Sequence, residues 1–238
     1  MSGTVYLVPN LLGVVPPETV LPRRTIDVAR ALRRFVVENP KPARQFLKTL
    51  ALDVPIASLA IETIPERSTP DAIRALLAPA HQGEDIGVIS DAGCPGVADP
   101  GAAIVAGAHR EALRVVPLVG PSAILLGLMA SGLNGQTFTF EGYLPAEAQA
   151  RAQRLRSIDE EIARTGTTHL FIETPYRNHA MLAAILATCR ATTHFCVAVD
   201  LTLPTEWIRS APVGAWQRTA PPSLAKRPAL FLLGRAGG

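Results

Sequence analysis

Short, unbroken apolar runs alternate with longer stretches whose apolar residues recur at helical spacing through the first half of the chain. Residues 4–8 predict a strand, 25–34 a helix, 35–38 a short strand, 42–50 a helix and 56–60 an extended segment. Pro70 stands at the first position of a helix over 70–80 with Thr69 as its cap, and a strand begins at Ile86. A helix over 101–112 and a strand over 115–119 complete the series. Strands that are apolar throughout, separated by helices, imply a parallel sheet covered on both faces. The turn Gly120-Pro121-Ser122-Ala123 repeats the passage from strand to helix, and the pattern changes beyond it. A boundary near Pro121 divides the chain into domains 1–119 and 120–238. The second half predicts strands over 137–141, 169–172, 194–199 and 229–233, helices over 147–165 and 177–189, and a loop at 219–223. This order suggests a second, mixed sheet, so the fold class is α/β with two α/β domains.

The run Ile86-Gly87-Val88-Ile89 passes directly into Ser90-Asp91-Ala92-Gly93-Cys94-Pro95-Gly96-Val97-Ala98-Asp99-Pro100-Gly101. Open α/β sheets bind ligands at such strand ends, and the small residues let backbone approach a ligand closely. Two carboxylates do not suit a phosphate cradle. They suit a cationic ligand or one that presents hydroxyls. The alternative is a tight turn in which Asp91 caps the following helix.

Of the 238 residues, 48% are hydrophobic and 18% charged, enough apolar material for a sizeable core. The net charge of +3 permits an anionic partner without demanding one. Its distribution is uneven: Arg23, Arg24, Arg30, Arg33, Arg34, Lys41, Arg44 and Lys48 face only Asp27 and Glu38 over residues 23–48. That segment is either an anionic contact or a solvated helix face whose stems cover apolar neighbours. Cys94, Cys189 and Cys196 show no paired spacing, which indicates neither a disulfide framework nor a zinc site and points to a reducing, cytoplasmic setting. The apolar stretch 118–133 is cut by glycines and a proline and is too short to span a bilayer, so no membrane association is expected.

Six segments together resemble the tetrapyrrole methylase superfamily, and within it the branch of small-subunit ribosomal RNA cytidine 2'-O-methyltransferases. They are residues 3–9, 88–101, 115–123, 140–145, 172–177 and 211–214, in the family's order. The resemblance implies two α/β domains with S-adenosylmethionine in a cleft between them, usually in a homodimer. It accounts for the acidic turn, because the cofactor's sulfonium is cationic and its ribose offers hydroxyls. By similarity Pro9, Asp91, Ala92, Gly93, Val97 and Asp99 line the cofactor site, with Ser122 and Ala123 at the second turn and Tyr176, Leu201 and Pro228 from the other domain. A ribose hydroxyl acceptor needs a proton acceptor, for which Glu38 and Glu173 are the candidates. Arg177, four residues beyond Glu173, either orients an anionic substrate or pairs with that carboxylate.

Four landmarks of that branch are altered. Pro9-Asn10-Leu11-Leu12-Gly13 replaces a Thr-Pro-Ile-Gly-Asn loop, and Val37-Glu38-Asn39-Pro40-Lys41 replaces Ala-Glu-Asp-Thr-Arg. Nothing over residues 58–67 matches a His-Asn-type landmark, and Val199-Asp200-Leu201-Thr202-Leu203 replaces Arg-Glu-Leu-Thr-Lys. The losses fall on the acceptor side, which describes a divergent paralogue whose RNA or other phosphate-bearing acceptor is contacted through residues 23–48. Aromatic residues, 5% of the chain, leave little for base stacking. A tetrapyrrole or other small-molecule methyltransferase and a non-catalytic cofactor-binding module are the alternatives. A nucleotide-dependent oxidoreductase is disfavoured, because no Gly-x-Gly-x-x-Gly follows the first strand.

Overall fold

The computed structural model describes residues 2–219 and 223–236, and the chain divides after Ser122 into two compact units. Ala220, Pro221 and Pro222 of the expected loop at 219–223 lie outside the described residues.

The first unit runs β1 (Thr4–Leu7), α1 (Arg23–Ala31), β2 (Arg34–Val37), α2 (Pro40–Thr49), β3 (Ala60–Thr63), α3 (Pro70–His81), β4 (Ile86–Ile89), α4 (Gly101–Arg110) and β5 (Arg114–Pro117). Its five strands form one parallel sheet in the order β3-β2-β4-β1-β5. Alternate residues of each strand enter cores on opposite faces. Phe35, Val37 and Ile89 pack with Ala29, Phe46 and Leu47 of α1 and α2, whereas Val36, Ile86 and Val88 pack with Ile73, Leu77 and Ile104 of α3 and α4. Local signals set the helix starts. Thr69 Oγ1 accepts from Ala72 N at 3.3 Å ahead of Pro70, and Asn39 Oδ1 accepts from Lys41 N at 3.1 Å ahead of Pro40.

Two expectations need correction. Residues 56–58 form a 3₁₀ turn, not a strand, because Ser58 returns both its N–H and its hydroxyl to the Pro55 carbonyl; the strand begins at Ala60. The helix expected over 25–34 spans Arg23–Ala31 instead, since Pro22 marks its start and Leu32 is already extended.

The second unit runs α5 (Ala123–Ser131), β6 (Phe138–Tyr143), α6 (Ala148–Thr165), β7 (Thr168–Ile172), α7 (Asn178–Thr188), β8 (His194–Val199), β9 (Trp207–Pro212), α8 (Val213–Trp216) and β10 (Ala229–Gly234). Its sheet has the order β6-β7-β10-β8-β9, parallel between β6 and β7 and antiparallel elsewhere. Phe231 on the central strand stacks between Phe171 and Phe195, with ring centroids 5.8 and 6.2 Å away. Trp216 closes that core and donates its indole N–H to the Phe195 carbonyl at 2.8 Å. The strand β9 escaped the sequence reading because it is a half-buried edge with Arg209 and Ser210 at its middle.

A polar cluster is built into this unit. Glu141 on β6 receives Arg154 from α6 at 2.6 Å and the His169 ring from β7 at 2.7 Å, and His169 is 1% exposed. Burial opposes the Glu141 carboxylate, but the hydrogen bonds from Arg154 and His169 outweigh it and hold its pKa below the ordinary 4.5. A carboxylate lowered in this way stabilises the fold fully above its ordinary pKa, and that contribution is lost as pH falls through the lowered value. Glu141→Gln is expected to cost about 1–2 kcal/mol at pH 7 and to flatten the acid limb. Melting temperatures measured from about pH 5 to pH 3 should fall less steeply for the variant than for the parent.

Candidate functional site

In the first unit the sequence candidates converge on the carboxyl ends of parallel strands, where an open sheet presents its crevice. Pro9 and Asn10 leave β1, Glu38 leaves β2, the acidic turn leaves β4, and the second turn, Gly120 to Ser122, follows β5. Asn10 joins two of these ends. Its side-chain amide donates to the carbonyls of Ser90 and Asp91, each at 3.0 Å, and its backbone exchanges hydrogen bonds with Gly93 at 2.9 and 3.2 Å. Gly93 takes a φ of +70°, where a Cβ is strained and would sit 3.4 Å from both Leu12 and the Pro121 carbonyl. A Cβ on Gly120 would lie 2.3 Å from Pro9, so the second turn presses against the first loop. The Cys94 thiol, donating to the Pro121 carbonyl at 3.5 Å, ties that turn to the acidic one.

The two aspartates have different tasks. Asp99 is the structural one: its carboxylate accepts from Gly96 N at 2.9 Å and from Gly101 N at 2.6 Å, closing the turn and starting α4. The alternative that Asp91 caps this helix is overturned: Pro100 is the capping residue, and the N–H of the first helical residue, Gly101, goes to Asp99. Asp91 is exposed and its carboxylate forms no hydrogen bond among the described residues, while its backbone N–H donates to Glu38 Oε2 at 3.0 Å. Burial, and then the charge of Asp99, raise the Asp91 pKa above its ordinary value. The Glu38 carboxyl is likewise raised, chiefly by burial, with Asp91 and Asp99 adding to it against the lowering hydrogen bond from Asp91 N. No Lys or Arg forms an ion pair with Glu38, Asp91 or Asp99 among the described residues. Three carboxylates thus share one strand edge without a protein cation to balance them. Ala92 and Val97 are exposed on the same turn, with Ala98 next to Val97 held at a φ of +62°.

The remaining candidates belong to the second unit. Ala123 is the first residue of α5. Glu173 follows β7 and is buried, its Oε1 accepting from Thr174 N at 2.6 Å and from Arg177 at 2.7 and 3.0 Å. Of the two readings of Arg177, the structure therefore places it in the ion pair. Glu173 Oε2 is buried without a hydrogen-bond partner. Tyr176 is 82% exposed, whereas Leu201 is buried. Leu201 and Pro228 flank the paired ends of β8 and β10, where the Pro228 carbonyl accepts from Asp200 N at 3.0 Å. Asp200 holds Arg227 at 2.8 Å, a structural pair that sequence reasoning missed because the two residues lie far apart along the chain.

The basic segment 23–48 is not one patch. Arg23 pairs with Asp27, Arg33 with Asp53, and Arg34 with both Glu62 and Glu84, while Arg30 is spent on the Leu50 carbonyl. Lys41, Arg44 and Lys48 are exposed along α2 and enter no ion pair among the described residues. No helix among the described residues is long and apolar enough to cross a membrane.

A parallel sheet followed by a mixed one is a fold this chain shares with solved methyltransferases. The methyltransferase CobJ superposes with a TM-score of 0.62 at 22% identity, covering 99% of this chain and 95% of that one. Uroporphyrin-III C-methyl transferase from Thermus thermophilus, complexed with S-adenyl homocysteine, superposes with a TM-score of 0.54 at 18% identity, covering 98% of each chain. The sequence pattern of the Tetrapyrrole (Corrin/Porphyrin) Methylases matches residues 21–216, and the chain belongs to that family. Ribosomal RNA small subunit methyltransferase I of Escherichia coli O157:H7 is 30% identical over 218 residues, 90% of this chain and 72% of that protein. The protein of that name from Micromonospora olivasterospora is 34% identical over 186 residues, 78% of this chain and 56% of its own.

Because Asp99 satisfies two backbone N–H groups, Asp99→Ala is expected to destabilise the first unit by about 1–2 kcal/mol. Urea denaturation should show the lowered midpoint, with Asp91→Ala, which removes no such bond, close to the parent.

Proposed function

We propose that the chain is an S-adenosylmethionine-dependent methyltransferase acting on RNA, with a ribose 2'-hydroxyl as the acceptor. The observation that carries this reading is the exposed carboxylate of Asp91 in a strand-end turn with two further carboxylates and no compensating cation. A cationic ligand relieves that repulsion, and a ribose offers the hydroxyl donors such a turn lacks. The names of the curated relatives supply the acceptor class. When bound, the cofactor supplies an electrophilic methyl group on a positively charged sulfur.

The first unit's residues divide the remaining work. Pro9, Ala92, Gly93 and Val97 shape the cofactor's bed, Asp91 provides its charge, and Ser122 lies on the turn that Cys94 holds in place. Alignment of acceptor with donor and exclusion of water are the main demands of an in-line displacement. Glu38 is the proton acceptor in this reading: one oxygen holds Asp91 N, the other enters no hydrogen bond among the described residues, and its raised pKa makes it the stronger base. Glu173, whose side chain is 1% exposed and paired with Arg177, suits that task less well. The chain works in this reading as a homodimer in the cytoplasm, where ribosomal RNA is the substrate.

Calorimetry with S-adenosylmethionine tests the cofactor site, and absence of heat at any pH would sink the proposal. Asp91→Asn should weaken binding about tenfold, the low end for a charge-assisted contact at an exposed position. The cation requires ionised carboxylates, so affinity should be full above the raised pKa values and fall as pH is lowered through them. The variant should lose much of that acid dependence. Glu38→Gln separates two roles of one residue. Its amide oxygen still accepts from Asp91 N, so cofactor affinity should persist while methyl incorporation into RNA falls by about 10²–10⁴. Glu38→Ala should lower both. Cofactor binding with no incorporation by the parent would identify the non-catalytic module instead.

A further inference from the structure

A groove of about 420 Å³ runs along the first unit between the loop after β1 and helix α2, and it opens at one end on Asp91 and Ala92. Leu11, Pro42 and Phe46 line it with apolar surface, while the exposed Gln45 puts an amide on its rim and the exposed Thr49 an acceptor oxygen, its hydroxyl proton being given to the Phe46 carbonyl at 2.6 Å. Pro42, Gln45, Phe46 and Thr49 follow one another at the three- and four-residue steps of a single helix face. Lys41, Arg44 and Lys48 occupy the neighbouring stripe of that helix, spaced about 4.5 and 6 Å along its axis by a rise of 1.5 Å per residue. The three cations are exposed and enter no ion pair among the described residues. Every other basic side chain of residues 23–48 except Arg24 is already committed to a carboxylate or a carbonyl.

An apolar trough with hydrogen-bonding groups on its lip and a row of cations beside it matches the chemistry of one unpaired nucleotide strand. Bases splayed from such a strand enter apolar pockets edge-first against amides and hydroxyls, while the phosphates follow the positive charges. We propose that this groove seats single-stranded RNA, with phosphates on Lys41, Arg44 and Lys48 and a base against the groove's apolar wall, delivering a neighbouring ribose to the end that opens on Asp91. The inference rests on the reading of the chain as an RNA methyltransferase and adds where the acceptor lies. It also gives the altered segment 37–41 a purpose. Asn39 and Pro40 start α2 directly after Glu38, which carries the cation row up to the candidate proton acceptor.

Fluorescence anisotropy with a labelled single-stranded RNA oligonucleotide, over a series of salt concentrations, tests the proposal. Each neutralised phosphate contributes about 0.7 to the slope of log affinity against log salt on a single strand, so Lys41→Gln, Arg44→Gln and Lys48→Gln together should reduce that slope by about 2. Gln45→Glu, an exposed helix substitution that adds a negative charge to the groove, should weaken binding at least threefold with no change in thermal stability. Arg24→Gln, off the groove, should bind like the parent. A 4-thiouridine oligonucleotide should crosslink within residues 10–15 or 42–49. Unchanged affinity and slope in the triple variant, crosslinks confined elsewhere, or tighter binding of duplex than of single-stranded RNA would overturn the groove assignment. Calorimetry with S-adenosylmethionine on the same variants keeps the two ideas apart. The triple variant should retain cofactor affinity, and a parent that binds RNA in the groove but takes no cofactor would sink the methyltransferase reading while leaving the groove standing.

Discussion

The tie between the loop after β1 and the turn after β4 is the constraint on which the candidate site depends, and one buried side chain enforces it. Asn10 spends its amide on the carbonyls of Ser90 and Asp91 and its backbone on Gly93, so the acidic turn cannot leave the sheet edge without stranding four hydrogen bonds. The left-handed Gly93, the close approach of Gly120 to Pro9 and the thiol of Cys94 pack the second turn against that tie. With the backbone held in this way, Asp91 is left free to face solvent with its charge unspent. In the proposed reading, that unspent charge is what a cationic ligand meets.

The departures from the ribosomal RNA methyltransferase pattern acquire structural meaning in this light. Pro9-Asn10-Leu11-Leu12-Gly13 differs from the expected loop, yet it supplies the asparagine that locks the turn and the leucine that walls the groove. Asn39 and Pro40 replace an acidic residue and a threonine, and together they make an N-cap and a first helical residue. The changed residues thus carry two structural tasks in this chain, loop closure and helix initiation.

Much of the fold was legible from local pattern. The continuous apolar run of β4 identified a strand buried on both faces, Thr69-Pro70 marked the start of α3, and the helix expected over 147–165 is α6, whose first free N–H groups Glu147 accepts. Other features needed distance information that spacing does not carry. Asp91 and Asp99 look equivalent in sequence, and only the path of the turn decides which carboxylate folds back on its own backbone. The basic segment read as one patch because Asp53, Glu62 and Glu84, which neutralise Arg33 and Arg34, lie outside it in sequence. The Glu173 and Arg177 pair was within reach because the two residues are four apart, whereas Asp200 and Arg227 come together only through the pairing of β8 with β10.

The overlooked strand β9 bears on how molecules of this chain meet one another at high concentration. A sheet that ends on a free edge is a template for a further strand from another copy, a common route to aggregation. Here that edge ends in Pro212, which has no N–H to donate, and the Arg209 guanidinium lies 4.3 Å from the centre of the Trp216 ring. A proline at the end of the strand withholds one N–H from any added strand, and the cation over the Trp216 ring covers an aromatic face beside it.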